Sequence, residues 1–583
     1  MAERSKALCS GLIQTSNDSQ SRKGPGFESQ SHQHGTQPFG RNSKVGCCGG
    51  IKECPSGSQG RRGTYRAKRS QLHSAASPCS AASVQLPNPS HSLPHSFLCP
   101  VITMRFSDFT PALWALWLSQ ASAGSCKPSP AAPIDVDVAV IGGGSGGIHA
   151  AIQLKDAGAK VVVIEKKSQI GGHAETYTNP ATGIPANIGV VLFESSEIVK
   201  KYFARLGVAT ANQNPATLVS NAKSYDFSLG IPIPAQNATA AAAAQQAIGA
   251  AIQAYSQNVL SKYGWVDQGY FIPEPVPEEL TMPFGQFAQK YDFSALLPVI
   301  SQFNWYPGDI STIPAIYGIK GFGPGLLSSF TSQFIVSASG DTRSLYHAAA
   351  AELGDSVLLD STIIYVKRDT GNSKTSGVSL IVKQPNQPSK IIRARKLLIA
   401  IPPTLENVGS FDLSKAERKL FSKFSALGYW AGVADIPGMD VSLQNVGALT
   451  PYNTPVIPGD NGFFTTGSPN QFLLGVAFDN TQYTDDDAKA VVRKELATLA
   501  AVGAVPADAA QKVTFPYTSN HAPYNVRVSG KDIGAGFYRE FLGLEGSRNT
   551  YWTGAAFAGH NSGLIWTWNE GTVVPALKKG LGL

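Results

Sequence analysis

The stretch that most constrains this chain runs from Val136 to Glu165. A β-branched apolar run, Val136 to Ile141, breaks into Gly142-Gly-Gly144-Ser145-Gly-Gly147. A segment with apolar Ile148, Ala151, Ile152 and Leu154 at helical spacing follows, then a second apolar run, Val161–Ile164, that ends on Glu165. A buried strand, a G-x-G-x-x-G turn, a helix and a second buried strand form a βαβ unit with an acid at its end. Each part has a mechanical job in holding a dinucleotide. Gly142 makes the tight turn, Gly144 lets the backbone approach a pyrophosphate, and Gly147 lets helix and sheet pack closely. The helix N-terminus, from Ser145 onward, offers free N–H groups and a positive dipole end to phosphates. Glu165 is placed to accept hydrogen bonds from ribose hydroxyls.

The charge and cysteine distributions exclude other classes. Residues 1–103 carry 12 Lys/Arg against 4 Asp/Glu, which is the whole +8 excess; the remaining 36 basic and 36 acidic residues cancel. The body is neutral, so a basic nucleic-acid groove is not expected. Cys9, Cys47, Cys48, Cys54, Cys79 and Cys99 precede residue 103, and none follows Cys126. The body therefore has no disulfide framework, thiolate zinc site or cysteine nucleophile. The Cys47-Cys48-x5-Cys54 cluster matches no common zinc spacing, and no H-E-x-x-H occurs, so no metal site is expected.

Residues 1–103 are rich in Ser, Gln, Gly, His and Pro and show no period of 3.6 or 2, a composition that argues disorder. From Met104 the chain reads as a basic start, an apolar run of ten around Trp114–Leu118 and an Ala121-Ser-Ala123 ending. Those are the parts of a secretory signal over 104–123, too short for a stable membrane span, and an amphipathic or buried segment is the alternative. On the signal reading translation starts at Met104, and residues 1–103 form an extension that does not belong to the mature protein. Lys127–Pro133, with three prolines, reads as a linker, and Asn237-Ala-Thr is a glycosylation sequon.

Beyond Glu165 comes a paired-glycine turn, Gly171-Gly172-His173-Ala-Glu175-Thr, and then Asn187-Ile-Gly189-Val190. With Gly142 to Gly147 these blocks resemble the flavin-containing amine oxidase superfamily, and most closely the fungal β-cyclopiazonate dehydrogenase-type FAD oxidoreductases. Two distant segments carry the same resemblance. Val357–Arg368 and Ile391–Pro403 resemble the second FAD-domain segment, where Ile363 would lie against the adenine. Tyr551-Trp-Thr-Gly554-Ala555 to Thr572 resembles the C-terminal FAD motif. The family commonly has an acid ahead of the glycine at 189, where this chain has Asn187.

The resemblance implies an α/β protein: a glutathione-reductase-like Rossmann FAD domain with an inserted α+β substrate domain. FAD segments over 134–195, 341–405 and 546–583 alternate with substrate-domain segments over 196–340 and 406–545. It implies FAD as cofactor, with Gly172, His173, Gly189, Val190, Gly554, Ala555, Gly563 and Leu564 joining the glycine turn, Glu165 and Ile363 around it. For His173 two readings stand, a histidyl-flavin link and a hydrogen bond to phosphate or backbone. His560 reads as a base or orienting group, or as a structural histidine. Trp566 and Trp568 read as packing beneath the flavin, with Trp566 alternatively facing substrate. His149 and His347 read as surface or packing residues.

In the inserted regions, Asn237–Leu260 reads as an Ala/Gln-rich helix, Phe472–Phe478 as a strand and Asp486–Val502 as a helix. The segments from Phe271 and from Phe303-Asn-Trp305-Tyr306 read as aromatic walls of a substrate cavity. Gly321-Phe-Gly323-Pro-Gly325 has no preceding β-run and reads as a loop, so there is no second dinucleotide unit. Three functions follow: an oxidoreductase acting on a small alkaloid- or terpenoid-like metabolite with O₂ as acceptor, a redox-neutral double-bond isomerase, and a flavin-binding protein without catalysis.

Overall fold

The computed structural model of the protein describes residues 132–215, 222–304, 308–368 and 377–583. The N-terminal segment, its cysteines, the expected signal at 104–123, and Trp305 and Tyr306 lie outside these residues.

The β-branched run forms the strand Ile134–Ile141, buried from Val138 to Ile141. On one side it pairs in parallel with Val161–Ile164, and on the other with Lys390–Ile399. Val357–Leu358 extends the parallel set beyond Val161–Ile164, and Thr550–Trp552 extends it beyond the C-terminal half of Lys390–Ile399. The N-terminal half of that same strand carries an antiparallel hairpin, Val378–Lys383 with Thr362–Arg368. The parallel strands are apolar on both faces because helices cover both, as all-parallel sheets require. One cover is Ser145–Asp156, buried from Gly146 to Ile152 and at Leu154.

This register places the C-terminal ends of five parallel strands, at Ile141, Ile164, Leu358, Ile399 and Trp552, along one edge. In open α/β sheets that edge is where ligands bind.

A second, largely antiparallel sheet draws strands from both intervening regions. Lys223–Asp226 and Ile231–Ile233 continue the sheet built on Ser425–Asp435 and Gln471–Phe478. Along Ser425–Asp435 the two-residue period separates two buried faces. Trp430 and Ala434 face the core under the helix Asp485–Ala501, whereas Tyr429, Ala431 and Val433 pack against Ala186 and Ile188. Not all of 406–545 belongs to this sheet. The short helix Lys415–Phe421 and Phe537–Leu542 contribute Phe421, Phe537 and Phe541 to the core that holds the parallel sheet.

The Ala/Gln-rich segment forms the helix Ala238–Ala254, capped by Asn237 and continued by a π-helical turn over Tyr255–Leu260. Gly321 to Gly325 joins two short helices, Ala315–Gly321 and Pro324–Phe330, rather than opening a nucleotide turn. Among the described residues no helix is long and apolar enough to cross a membrane.

Candidate functional site

One cavity of about 930 Å³ runs along the carboxyl edge of the parallel sheet. That is near the top of the roughly 300–1,000 Å³ common for small-molecule sites. Gly142, Gly144 and Ser145 line it at one strand end, Glu165 at the next, Ile363 near a third, and Gly554 and Ala555 at the last. Gly172, His173, Gly189 and Val190 close over it.

The glycines are required by contact. A Cβ on Gly147 would stand 2.0 Å from the Gly142 carbonyl oxygen, so the helix could not sit this close to its strand with a side chain there. Gly172, at φ +62°, brings its backbone against Gly144; a Cβ on it would be 3.0 Å from the Gly144 Cα. Two backbones thus form a side-chain-free floor on which a pyrophosphate can lie. The helix behind it has Gly144 as N-cap and no side-chain cap bond, which leaves its first amides to a ligand. Glu165 is tied down by the Gly143 amide at 2.7 Å and the Lys167 amide at 2.8 Å, so its carboxylate is fixed at the strand end. These residues fit an FAD: a phosphate cradle, a ribose acid and an apolar adenine wall in sequence along one groove.

Trp566 shows why the C-terminal segment belongs to the same site. It is fully buried, donates from Nε1 to Ser145 Oγ at 3.0 Å and stacks on Phe193, joining the first glycine turn to the last helix. It does not line the cavity, so of its two readings packing holds. Trp568 is buried as well and donates to the Trp552 carbonyl. His149 is a packing residue, stacked on Trp566, with burial lowering its pKa to about 3. His347 is exposed. Asn187 is used elsewhere: its Oδ1 accepts from Thr176 Oγ1 and the Thr342 amide, and its Nδ2 donates to the Gly340 carbonyl.

Gly563 and Leu564 are placed differently from the expectation. Asn561 Oδ1 accepts both their amides, at 2.7 and 3.4 Å, and neither residue lines the cavity. The cap residue takes these two amides; Gly559, His560, Asn561 and Ser562 reach the cavity instead. Phe271 is 51% exposed and leans on Trp568, so it is no cavity wall; Tyr270 and Phe303 are.

Beyond His173 and Val190 the cavity opens into a chamber of aromatic and histidine side chains. His173 stacks on His521 at 4.4 Å, Tyr524 lies 5.3 Å from His560 and stacks on Tyr429 at 4.9 Å. His560 lines the cavity and is exposed. Burial, with help from Arg527, lowers its pKa to about 4. Burial and the neighbouring His521 lower His173 as well. Both imidazoles are therefore neutral at pH 7 and able to accept a proton. Behind His521, Glu175 accepts from Lys167 and from Tyr517, with His521 Nε2 at 3.6 Å. Burial opposes its ionisation, but the His521 and Lys167 contacts hold that carboxyl far below its ordinary range.

A second titratable group lies in the same wall. Lys320 is buried, donates to the Val266 carbonyl and stands 4.7 Å from the Tyr270 ring centre. Burial lowers it to about 7, against the pull of Asp267 and Glu194. Burial and then Asp267 raise Glu194 to about 8, while Asn561 Nδ2 donates to it at 2.7 Å. Lys320, Glu194, His521, Tyr524 and Arg527 were not singled out in the sequence. Each is a lone polar residue with no motif around it.

With the geometry in place, the comparisons agree with it. A family model for an NAD(P)-binding Rossmann-like domain matches residues 140–206. The FAD-dependent oxidoreductase dpchF of Colletotrichum higginsianum is 57% identical over 481 residues, 82% of this chain and 100% of that protein. This chain is an FAD-dependent oxidoreductase of that family. The β-cyclopiazonate dehydrogenase of Aspergillus oryzae is 33% identical over 447 residues, 75% of this chain and 92% of its own. Among solved structures, a fatty acid isomerase from P. acnes superposes with a TM-score of 0.60 at 18% identity, covering 76% of this chain and 98% of its own. A putrescine oxidase superposes at 0.52 and 15%, covering 76% of this chain and 99% of its own. Both share the fold. The cofactor of this family is FAD. Gly142, Gly144, Gly172 and Glu165 would hold its dinucleotide part, and its ring would supply the two-electron chemistry.

Proposed function

We propose that the protein dehydrogenates, or oxidatively cyclises, a small alkaloid- or terpenoid-like metabolite of a fungal biosynthetic pathway and passes the electrons to O₂. The observation that carries this reading is the continuity of the cavity. The dinucleotide groove opens directly into a chamber lined by Tyr429, Tyr524, Phe303 and the neutral His560. Such a chamber can hold a polycyclic substrate, exclude water and receive the proton released as a hydride equivalent leaves carbon. The sequence has one strand–G-x-G-x-x-G–helix unit, which supports O₂ rather than a pyridine nucleotide as the partner.

The test is an oxygen-electrode screen of cyclic amines, terpenoids and polyenes, paired with anaerobic mixing. Flavin bleaching without oxygen, and peroxide equal to product with it, is expected. Product formed with no oxygen consumption would replace this reading by double-bond isomerisation, and no turnover with any class would leave a flavin-binding protein. The signal-like segment from Met104 and the sequon support passage through the secretory pathway; Asn237 is exposed at a helix start. Mass spectrometry of the native protein would find its first residue after Ala123, and a peptide from residues 1–103 would refute that assignment.

A further inference from the structure

We infer that Asn461 selects the substrate, and that the chamber takes a molecule carrying an N–H or O–H donor on an otherwise apolar ring frame. This assignment rests on the flavin reading above and names the substrate chemistry of that same cavity. Asn461 lines the cavity on the wall supplied by the second sheet. Asp460 pairs with Val476 and Phe464 with Leu473, so Asn461, Gly462 and Phe463 oppose only Leu474 and Gly475. One extra residue of this kind is a β-bulge, which turns a side chain out of its regular alternation. The backbone of Asn461 is fixed on both sides: its amide donates to the Gly475 carbonyl at 3.1 Å, and its carbonyl accepts from the Asn445 amide at 3.1 Å and from Gln444 Nε2 at 2.9 Å.

The side chain is the exception. Asn461 is only 9% exposed, and its Oδ1 is shut from water with no hydrogen-bond donor among the described residues. A buried carboxamide oxygen left unpaired is costly, and nearly all such groups in folded proteins have a partner. Its polar neighbours on this wall do not supply one, because they are engaged with each other. Gln444 accepts from Gln302 Nε2 at 2.9 Å while its own Nε2 serves backbone carbonyls, and Ser442 Oγ accepts the Thr465 amide at 3.1 Å. Around the carboxamide the wall is apolar and aromatic. Phe464 and Leu473 line the cavity, as does Tyr429, whose ring covers Gly475. A flat ring lying on these side chains and donating a hydrogen to Oδ1 would satisfy the one acceptor the protein leaves open there. A site built to pair a ligand N–H or O–H rejects the analogue that lacks it, since the protein group then stays unpaired.

The experiment titrates the flavin-loaded full chain with indole and benzofuran, and with 2-naphthol and 2-fluoronaphthalene, reading the flavin absorbance. In each pair the second molecule keeps the shape and lacks the donor. Indole and 2-naphthol are each expected to bind at least about tenfold more tightly than their counterparts, the worth of pairing a buried acceptor. Asn461→Leu, apolar and of similar volume, is expected to bring each pair to within about twofold at unchanged flavin content. Asn461→Ala is expected to do the same without relying on how a leucine packs. Equal binding within the pairs by the wild-type protein, no spectral response to either donor-bearing probe, a preference that survives in both variants, or loss of flavin from both would each overturn the inference. A wild-type protein that takes up no FAD would instead overturn the flavin reading on which it rests.

Discussion

Replacing Gly147 by alanine tests the cofactor turn at its tightest contact. The added Cβ would stand 2.0 Å from the Gly142 carbonyl oxygen and 3.1 Å from the Ala400 Cβ. A carbon–oxygen contact needs roughly 3.3 Å, so helix and strand must separate by about 1 Å. Overpacking of this kind costs about 1–3 kcal/mol. Here the displaced groups are those that face the pyrophosphate, so the loss falls on FAD binding. About 1.4–2.8 kcal/mol corresponds to a 10- to 100-fold weaker dissociation constant. The assay is a fluorescence titration of deflavinated protein with FAD, alongside thermal melting of the same apo sample. Gly158→Ala is the control: nothing lies within 4 Å of its added carbon, but its φ of +85° makes it strained. That variant should lose about 1–2 kcal/mol of stability while binding FAD as the wild type does. A folded Gly147→Ala protein that binds FAD within about threefold of wild type would refute the reasoning.

Two further outcomes follow from buried charge. Burial raises Glu545 to about 8, while its Oε1 accepts the Trp552 amide at 3.0 Å. Between the unfolded carboxyl value near 4.5 and about 8 the folded state keeps a proton that the unfolded state has released, so stability falls as pH rises through that window, by at most about 1.4 kcal/mol per pH unit. Glu545→Gln should remove this slope, its melting temperature gaining on wild type as pH rises; parallel melting curves would refute it. Arg368, with no exposed side-chain surface, donates to Asp412 and Glu417, which Arg548 also binds. Arg368→Met should destabilise by about 3 kcal/mol, because it leaves the buried Glu417 and the half-buried Asp412 with Arg548 as their remaining ion-pair partner; denaturant unfolding showing less than about 1 kcal/mol would mean the network is solvent-screened.

What could be read from the sequence was what is local. Gly142 to Gly147 and Glu165 sit within one βαβ unit, so spacing alone conveys their roles, and the structure sets them on the strand ends that line the cavity. Ile363 and Gly554 could be reached only through family resemblance, since 221 and 412 positions separate them from Gly142 and only the assembled sheet, parallel and antiparallel strands together, brings them to one cavity. The expectation for Gly563 and Leu564 fell short of a local signal: Asn561 before a helix is a strong N-cap residue, and its side chain takes the amides. Arg527, Tyr524 and Lys320 carried no signal. Their places come from how Ser425–Asp435 pairs with its neighbours and from a short helix between proline turns, which no window of sequence encodes.

The central claim, that three separate stretches of chain close on one flavin, is tested most directly by the cofactor content of the purified wild-type protein. The account predicts a yellow protein with one FAD per chain, and a Gly147→Ala variant prepared alongside with a lower FAD content. A colourless wild-type protein that takes up no added FAD, with its melting transition intact, would contradict it.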